Sequence, residues 1–330
     1  TAYALKALLD EGKKLRRRVR FIFGLDEETL WRSIAKYTER EEAPAMGFSP
    51  DAAFPLTYAE KGLLQMYVKG NTPSVINYKG GDSFNAVSPI AYCAYDEKIE
   101  TALKELGHDY YEDDKIYTTG KTAHAMQPWE GVSANLHLVE AIEKAGYVDD
   151  TIRFINDSFQ DGKFRFEGFT SEDLSDFSGP VTNCFSQMDA NENGVKLSVD
   201  LRLPVSVTKE QILEIMGEKA AKYGMTVEEF DWLAPIHVPK EGELINGLME
   251  AYQEVTGDTV SEPEISAGAT YARAFKGCVA YGACFPDTVL TEHEPNERAP
   301  IAELVKAAEV FKVAFEKLVV KNKKTNKIKI

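Results

Sequence analysis

The sequence predicts an α/β protein in which a mixed sheet with flanking helices is interrupted by a large α+β insertion. Three observations lead there. The two ends of the chain alternate helices with short strands, whereas the stretch from about Lys61 to Pro235 mixes antiparallel-type strand signals with helices. The first style returns near Lys240. With 330 residues, 44% of them hydrophobic, the chain is long enough to bury two cores. The expected divisions are residues 1–62 and 239–320 for the interrupted domain, 63–238 for the insertion, and 321–330 for a flexible tail carrying five lysines.

The elements follow in order. An amphipathic helix over residues 1–11 ends at Gly12, where a missing Cβ permits a left-handed residue. A β-rich run over 18–23 leads to Gly24-Leu25-Asp26-Glu27-Glu28, and helix is expected from 28 to 40. Open α/β sheets hold ligands beyond the carboxyl ends of strands, so this acidic tip is a site candidate. Gly47-Phe48-Ser49-Pro50-Asp51 reads as a second strand tip. In the insertion, strands are expected over 63–68, 74–78 and 195–203, with helices over 133–145 and 209–223. The run 90–106 starts apolar and continues as helix. The last part reads as helix 243–256, strand 279–285, a loop, and helix 301–320.

Bulk properties exclude several function classes. A formal net charge of −15 opposes nonspecific nucleic-acid binding, which needs compensating Lys and Arg. No apolar run is long enough to cross a bilayer, and no segment reads as a signal peptide. Four cysteines without C-x-x-C spacing read as reduced, mostly buried thiols, which suits a cytoplasmic protein. Gly80-Gly81-Asp82-Ser83 lacks both the P-loop ending and the dinucleotide spacing, so nucleotide binding is rejected there.

Candidate chemical residues are ambiguous one by one. Adjacent Glu27 and Glu28 can point one carboxylate at a metal and the other at substrate, but an acidic triplet also starts helices well. Asp51 can cap a turn as readily as bind a cation. His293 sits in a polar loop, where it is neither core filler nor helix former. His124 is flanked by small residues that let its ring approach a ligand, although a surface histidine reads the same way. His108, His137 and His237 lack such surroundings and are assigned structural roles.

The joint pattern is more specific. Gly24-Leu25-Asp26-Glu27-Glu28 is followed by Phe48-Ser49-Pro50-Asp51-Ala52-Ala53-Phe54-Pro55 and Glu60-Lys61-Gly62. Then come Gly81-Asp82-Ser83-Phe84-Asn85-Ala86-Val87, Gly120-Lys121-Thr122-Ala123-His124 and Asp200-Leu201-Arg202-Leu203-Pro204. Gly268-Ala269-Thr270-Tyr271-Ala272-Arg273 precedes His293-Glu294-Pro295-Asn296-Glu297. Together these resemble the PepV-type dipeptidases, which include Xaa-His (carnosinase-like) dipeptidases, in the two-zinc aminoacylase/carboxypeptidase clan. The resemblance runs from Thr1 to about Val320.

The resemblance implies a zinc-peptidase catalytic domain interrupted by a lid domain. It implies hydrolysis of dipeptides with a free C-terminal carboxylate by a metal-bridging hydroxide. It makes Glu27 the general base and gives Glu28, Asp51 and His293 to two zinc ions, with Mn or Co as alternatives. Asn85 and His124 are brought to the reacting carbonyl, Arg202 to the substrate's carboxylate, and Gly268, Ala269 and Thr270 to the same pocket. The chemistry is coherent: carboxylates and imidazoles suit zinc, a carboxylate can move the water's proton, an imidazole can meet the oxyanion, and a guanidinium fork suits a carboxylate. A doubled lid further implies a monomer, with a small peptide as its only partner and no nucleic acid or membrane.

One departure stands out. The family supplies a histidine from an H-x-D motif and a bridging aspartate, both N-terminal to Glu27, yet no histidine precedes His108. The expectation is that the N-terminal portion is missing and that this chain binds zinc poorly and turns over slowly. Two other readings stay open. One is an N-acyl amino acid deacylase of the same clan. The other is a noncatalytic relative.

Overall fold

The computed structural model describes residues 1–28, 31–289, 291 and 296–320. Both His293 and the lysine-rich tail expected at 321–330 lie outside the described residues. The structure is mixed α/β and divides into two compact units, residues Thr1–Glu60 with Ile236–Ile330, and residues Lys61–Pro235.

In the first unit, strand Gly47–Ser49 pairs in parallel with Cys278–Ala280, which pairs with Thr57–Glu60. Ile236–His237 and Glu264–Ser266 also pair with Thr57–Glu60. Helices Glu243–Thr256 and Ile301–Val319 pack together through Leu244, Ile245, Leu248 and Tyr252 on one side and Ala307, Val310, Phe311 and Ala314 on the other. An aromatic cluster joins helix to sheet. Phe48 stacks on Phe311 at 5.6 Å, and Phe54 contacts Tyr281 at 5.0 Å and Phe285 at 4.8 Å. Asp51 thus lies in a short segment between two packed aromatics, the part-buried Phe48 and the buried Phe54.

The run at 18–23 forms no strand. Its approach is held instead by charge. Arg16 and Arg17 both pair with Glu243, and both reach the Leu318 carbonyl at the end of the last helix. The chain there is extended, but among the described residues it meets another strand only at the bridge Leu15–Val320. The helix after Glu28 is also shorter than expected, spanning Arg32–Thr38.

The second unit carries an eight-stranded antiparallel sheet. Its order is Met225–Leu233, Gly62–Gly70, Gly194–Leu203, Thr182–Asn191, Tyr78–Gly80, Ile90–Ala94, Lys115–Thr119, Tyr110–Glu112. Helices Glu97–Leu106, Ala134–Lys144, Asp150–Phe159 and Lys209–Ala221 contribute to its core. Leu138, Val139 and Ile142 recur at helical spacing and are fully buried in one core with Ala91, Cys93, Ile116 and Met188 from the strands. Helices here start at good caps. Asp96 accepts from Lys98 and Ile99, and Asp149 from Ile152. Gly81, in the glycine pair rejected as a phosphate loop, is a steric requirement. Its φ is +81°, and a Cβ would lie 2.0 Å from the Ser186 carbonyl oxygen.

Candidate active site

The acidic tip is built by the first unit. Asp26 accepts from the backbone N–H groups of Arg32 at 2.8 Å and Ser33 at 3.0 Å, so it caps the short helix Arg32–Thr38. The helix-start reading of the triplet therefore belongs to Asp26, which frees the next two carboxylates for other work. The Trp31 indole donates to the Glu27 carbonyl at 2.5 Å. Thr29 and Leu30, between them, lie outside the described residues.

Glu27 is the unusual group. Its Oε1 is buried with no hydrogen-bond partner among the described residues. Burial, and then the charges of Asp51, Glu28 and Glu60, push its carboxyl up to about 7. The structure thus brings Glu27, Glu28 and Asp51 into one electrostatic neighbourhood. Glu28 and Asp51 are both exposed. Among the described residues no three His, Cys, Asp or Glu side chains form a set that could hold a metal ion. The donors that are present nevertheless fit a hard or borderline cation: oxygen ligands of like charge crowd together, and one carboxylate oxygen is orphaned. A cation would relieve that repulsion.

The Gly268, Ala269 and Thr270 segment is fixed by a buried network that sequence reasoning missed. Glu60 and the Arg273 side chain are almost completely buried and pair at 2.8 Å. Thr270 donates to Glu60 through its backbone N–H at 3.2 Å and through Oγ1 at 2.8 Å. Arg273 also donates to the Gly268 carbonyl at 2.6 Å. A signal was present. Glu60 ends the apolar run Leu56-Thr57-Tyr58-Ala59, where an acid survives only with partners.

In the second unit, Asn85 and His124 lie side by side. Ala86 and His124 form a bridge, and Ala125 donates to the Asn85 carbonyl at 2.8 Å. Val87, Ala125 and Cys184 form a small buried cluster beneath them. The Met126 backbone N–H donates to His124 Nδ1 at 3.1 Å, so in the neutral ring the hydrogen sits on Nε2. Phe84, next to Asn85, stacks on Phe230 at 4.9 Å.

Arg202 lies on strand Gly194–Leu203 and is buried. Its Nε and Nη2 donate to Asp200 at 2.7 and 3.1 Å, and Gln65 donates to the same carboxylate at 2.9 Å. Histidines read as structural behave so in two cases. His108 and His137 stack at 3.9 Å, and His108 meets Glu140 at 2.7 Å. The four cysteines are free thiols, three of them buried. Burial pushes Cys93 and Cys278 up to about 12, far from nucleophile range.

Known proteins place these features. A relative in Staphylococcus haemolyticus that carries a provisional dipeptidase name is 28% identical over 350 residues, which is 96% of this chain and 73% of that protein. Two solved structures share the fold. A tripeptidase from Staphylococcus aureus is 15% identical with a TM-score of 0.51, covering 96% of this chain and 68% of its own. A family M20 metallo-carboxypeptidase from Sulfolobus solfataricus is 17% identical with a TM-score of 0.51, covering 96% and 73%. The model of peptidase family M20/M25/M40, a generally metal-dependent family of hydrolases, matches residues 1–317, and the chain belongs to that family.

Proposed function

We propose that this chain carries the chemistry of a zinc-dependent dipeptidase acting on dipeptides with a free C-terminal carboxylate. The observation that carries the reading is Glu27, a half-buried carboxylate with an orphaned oxygen beside Glu28 and Asp51. Family membership and the relative's dipeptidase name support it. Glu28, Asp51 and His293 would hold the metal, which when bound supplies Lewis-acid polarisation of the scissile carbonyl and a more acidic water. The resemblance adds a histidine and a bridging aspartate N-terminal to Glu27, so tests belong on the whole gene product.

The protein's own groups then have distinct tasks. Glu27 takes the proton of the attacking water and passes it to the leaving amine. Its Oε1, buried and without a hydrogen-bond partner among the described residues, is the oxygen assigned to the water's proton. His124 donates from Nε2 to the carbonyl oxygen as negative charge builds there. Asn85 lies beside it and is assigned to the same carbonyl. Asp200 holds the Arg202 guanidinium through Nε and Nη2, and Arg202 is assigned to the substrate's terminal carboxylate. Gly268, Ala269 and Thr270 are assigned to the substrate pocket by the resemblance, and the bonds of Thr270 to Glu60 and of Arg273 to the Gly268 carbonyl would hold that segment in place. The protein is proposed to act as a cytoplasmic monomer.

A substrate panel tests this reading. The whole gene product, loaded with zinc, is assayed on a dipeptide, on its C-terminal amide and on an N-acetyl amino acid. The amide should lose about 2–5 kcal/mol in kcat/KM, because the substrate then loses its charged contact with the buried Arg202. Equal kcat/KM for acid and amide would remove Arg202 from its role. Faster cleavage of the N-acetyl amino acid would favour the deacylase reading.

A further inference from the structure

Three features of the first unit meet at one side chain. Gly24, three residues before Glu27, lies against Tyr271: a Cβ placed on Gly24 would fall 2.2 Å from Tyr271 Cε2. The phenol also meets Trp31 edge to face, with ring centroids 5.1 Å apart and an interplanar angle of 76°. Trp31 is buried, adopts a left-handed backbone with φ of 55°, and donates its indole N–H to the Glu27 carbonyl. A bulky residue is held in that conformation only where its surroundings over-determine it. The Tyr271 hydroxyl lies 3.5 Å from Ser33 Oγ, and Ser33 donates to Asp26.

Tyr271 is itself firmly placed. It opens the 3₁₀ turn Tyr271–Ala274, whose cap is Thr270. Thr270 is bound to Glu60 by two hydrogen bonds, and Arg273, at the same turn, is bound to Glu60 and to the Gly268 carbonyl. A glycine is needed at 24 because any larger residue would displace the ring.

We propose that Tyr271 is a positioning residue for Glu27, packed against both Gly24 and Trp31 so that the buried Glu60–Thr270–Arg273 network fixes where the Glu27 carboxylate points. The proposal rests on the reading of Glu27 as general base. It extends that reading by coupling the base to the segment assigned to the substrate. Tyr271 touches neither water nor substrate in this scheme. It acts through Trp31 and the loop that carries Glu27.

The test uses the whole, zinc-loaded gene product and steady-state kinetics on a dipeptide, with Tyr271→Leu, Tyr271→Phe, Gly24→Ala and Glu27→Gln compared with the parent. Tyr271→Leu and Gly24→Ala should each lower kcat about 100-fold, the scale of a small misplacement of a reacting group, with KM little changed. Tyr271→Phe keeps the ring and should restore most of kcat. A side chain with a merely structural role would lower yield or Tm and leave kcat per folded, metal-loaded molecule unchanged. Normal kcat in both Tyr271→Leu and Gly24→Ala, with Glu27→Gln inactive, would overturn the positioning role alone. A rise in KM with kcat unchanged would overturn it too. Parent-like kcat in Glu27→Gln would instead remove the reading of the base. If Tyr271→Leu fails to fold by circular dichroism, Gly24→Ala decides the matter.

Discussion

Replacing Glu27 by alanine in the whole gene product should lower kcat on a dipeptide by about 10²–10⁴-fold, the usual range for losing a general acid–base group. Bound zinc, measured by elemental analysis, should stay near the parent's level, because Glu28 and not Glu27 is the proposed ligand. The size of the effect follows from two jobs resting on one carboxyl: the same group takes the water's proton and delivers it to the amine. Without a bound cation, its burial and its acidic neighbours raise it to about 7. Loss of zinc with an unchanged rate per bound zinc would make Glu27 a ligand and remove it from proton transfer.

Arg273→Met should destabilise the fold by about 3–5 kcal/mol, the cost of leaving a buried charge without its partner. Glu60 is fully buried, and without Arg273 it keeps, among the described residues, the two Thr270 donors. The double variant Glu60→Gln, Arg273→Met should recover much of that loss, since both charges then go together. The pH dependence has a definite sign. Burial already lifts the Glu60 carboxyl above its ordinary value, against the pull of Arg273 and Thr270. Removing Arg273 lifts it further, so the folded state holds a proton more tightly than the unfolded chain. The variant's deficit should therefore be fully present above the raised pKa and should shrink as pH falls toward the ordinary carboxylate range. Urea titrations of parent and variant at several pH values measure this. A deficit independent of pH would mean that lost packing, not the stranded carboxylate, sets the cost.

The periodic elements were legible in the sequence. Helix Glu243–Thr256 begins and ends where the apolar spacing and the following Gly257 place it, and Ala134–Lys144 and Gly194–Leu203 sit within a residue of expectation. Their periodicity is unbroken over long enough runs to decide between helix and strand. The misses have local causes. Residues 18–23 have strand-like composition, but arginines tied to Glu243 and to helix-end carbonyls replace strand pairing. The expected strand 74–78 is displaced to Tyr78–Gly80, because Ser74 and Val75 bond to Asp149 instead. The run 90–106 is a strand, Ile90–Ala94, followed by a helix capped by Asp96. The apolar run at 279–285 splits into two short strands around Tyr281 and Gly282.

For the site, motif resemblance named the chemical residues that face substrate or metal, whereas the groups that hold them were not readable. Glu60, an acid ending an apolar run, carried a signal, but Trp31 and Tyr271 lie far apart in sequence and look like ordinary core aromatics. Only their contacts reveal what they support. Asp200 was hidden in the same way, two residues from Arg202 on one strand face, where it is the partner that makes a buried guanidinium tolerable.

The most direct measurement is a metal titration of the whole gene product. The protein is stripped with a chelator, zinc is added back in steps, and dipeptide hydrolysis is followed against bound metal. Hydrolysis should be absent in the stripped protein, return as zinc binds, and level off near two equivalents, as expected for a two-metal hydrolase. Dipeptide hydrolysis that survives complete stripping would contradict the proposed chemistry.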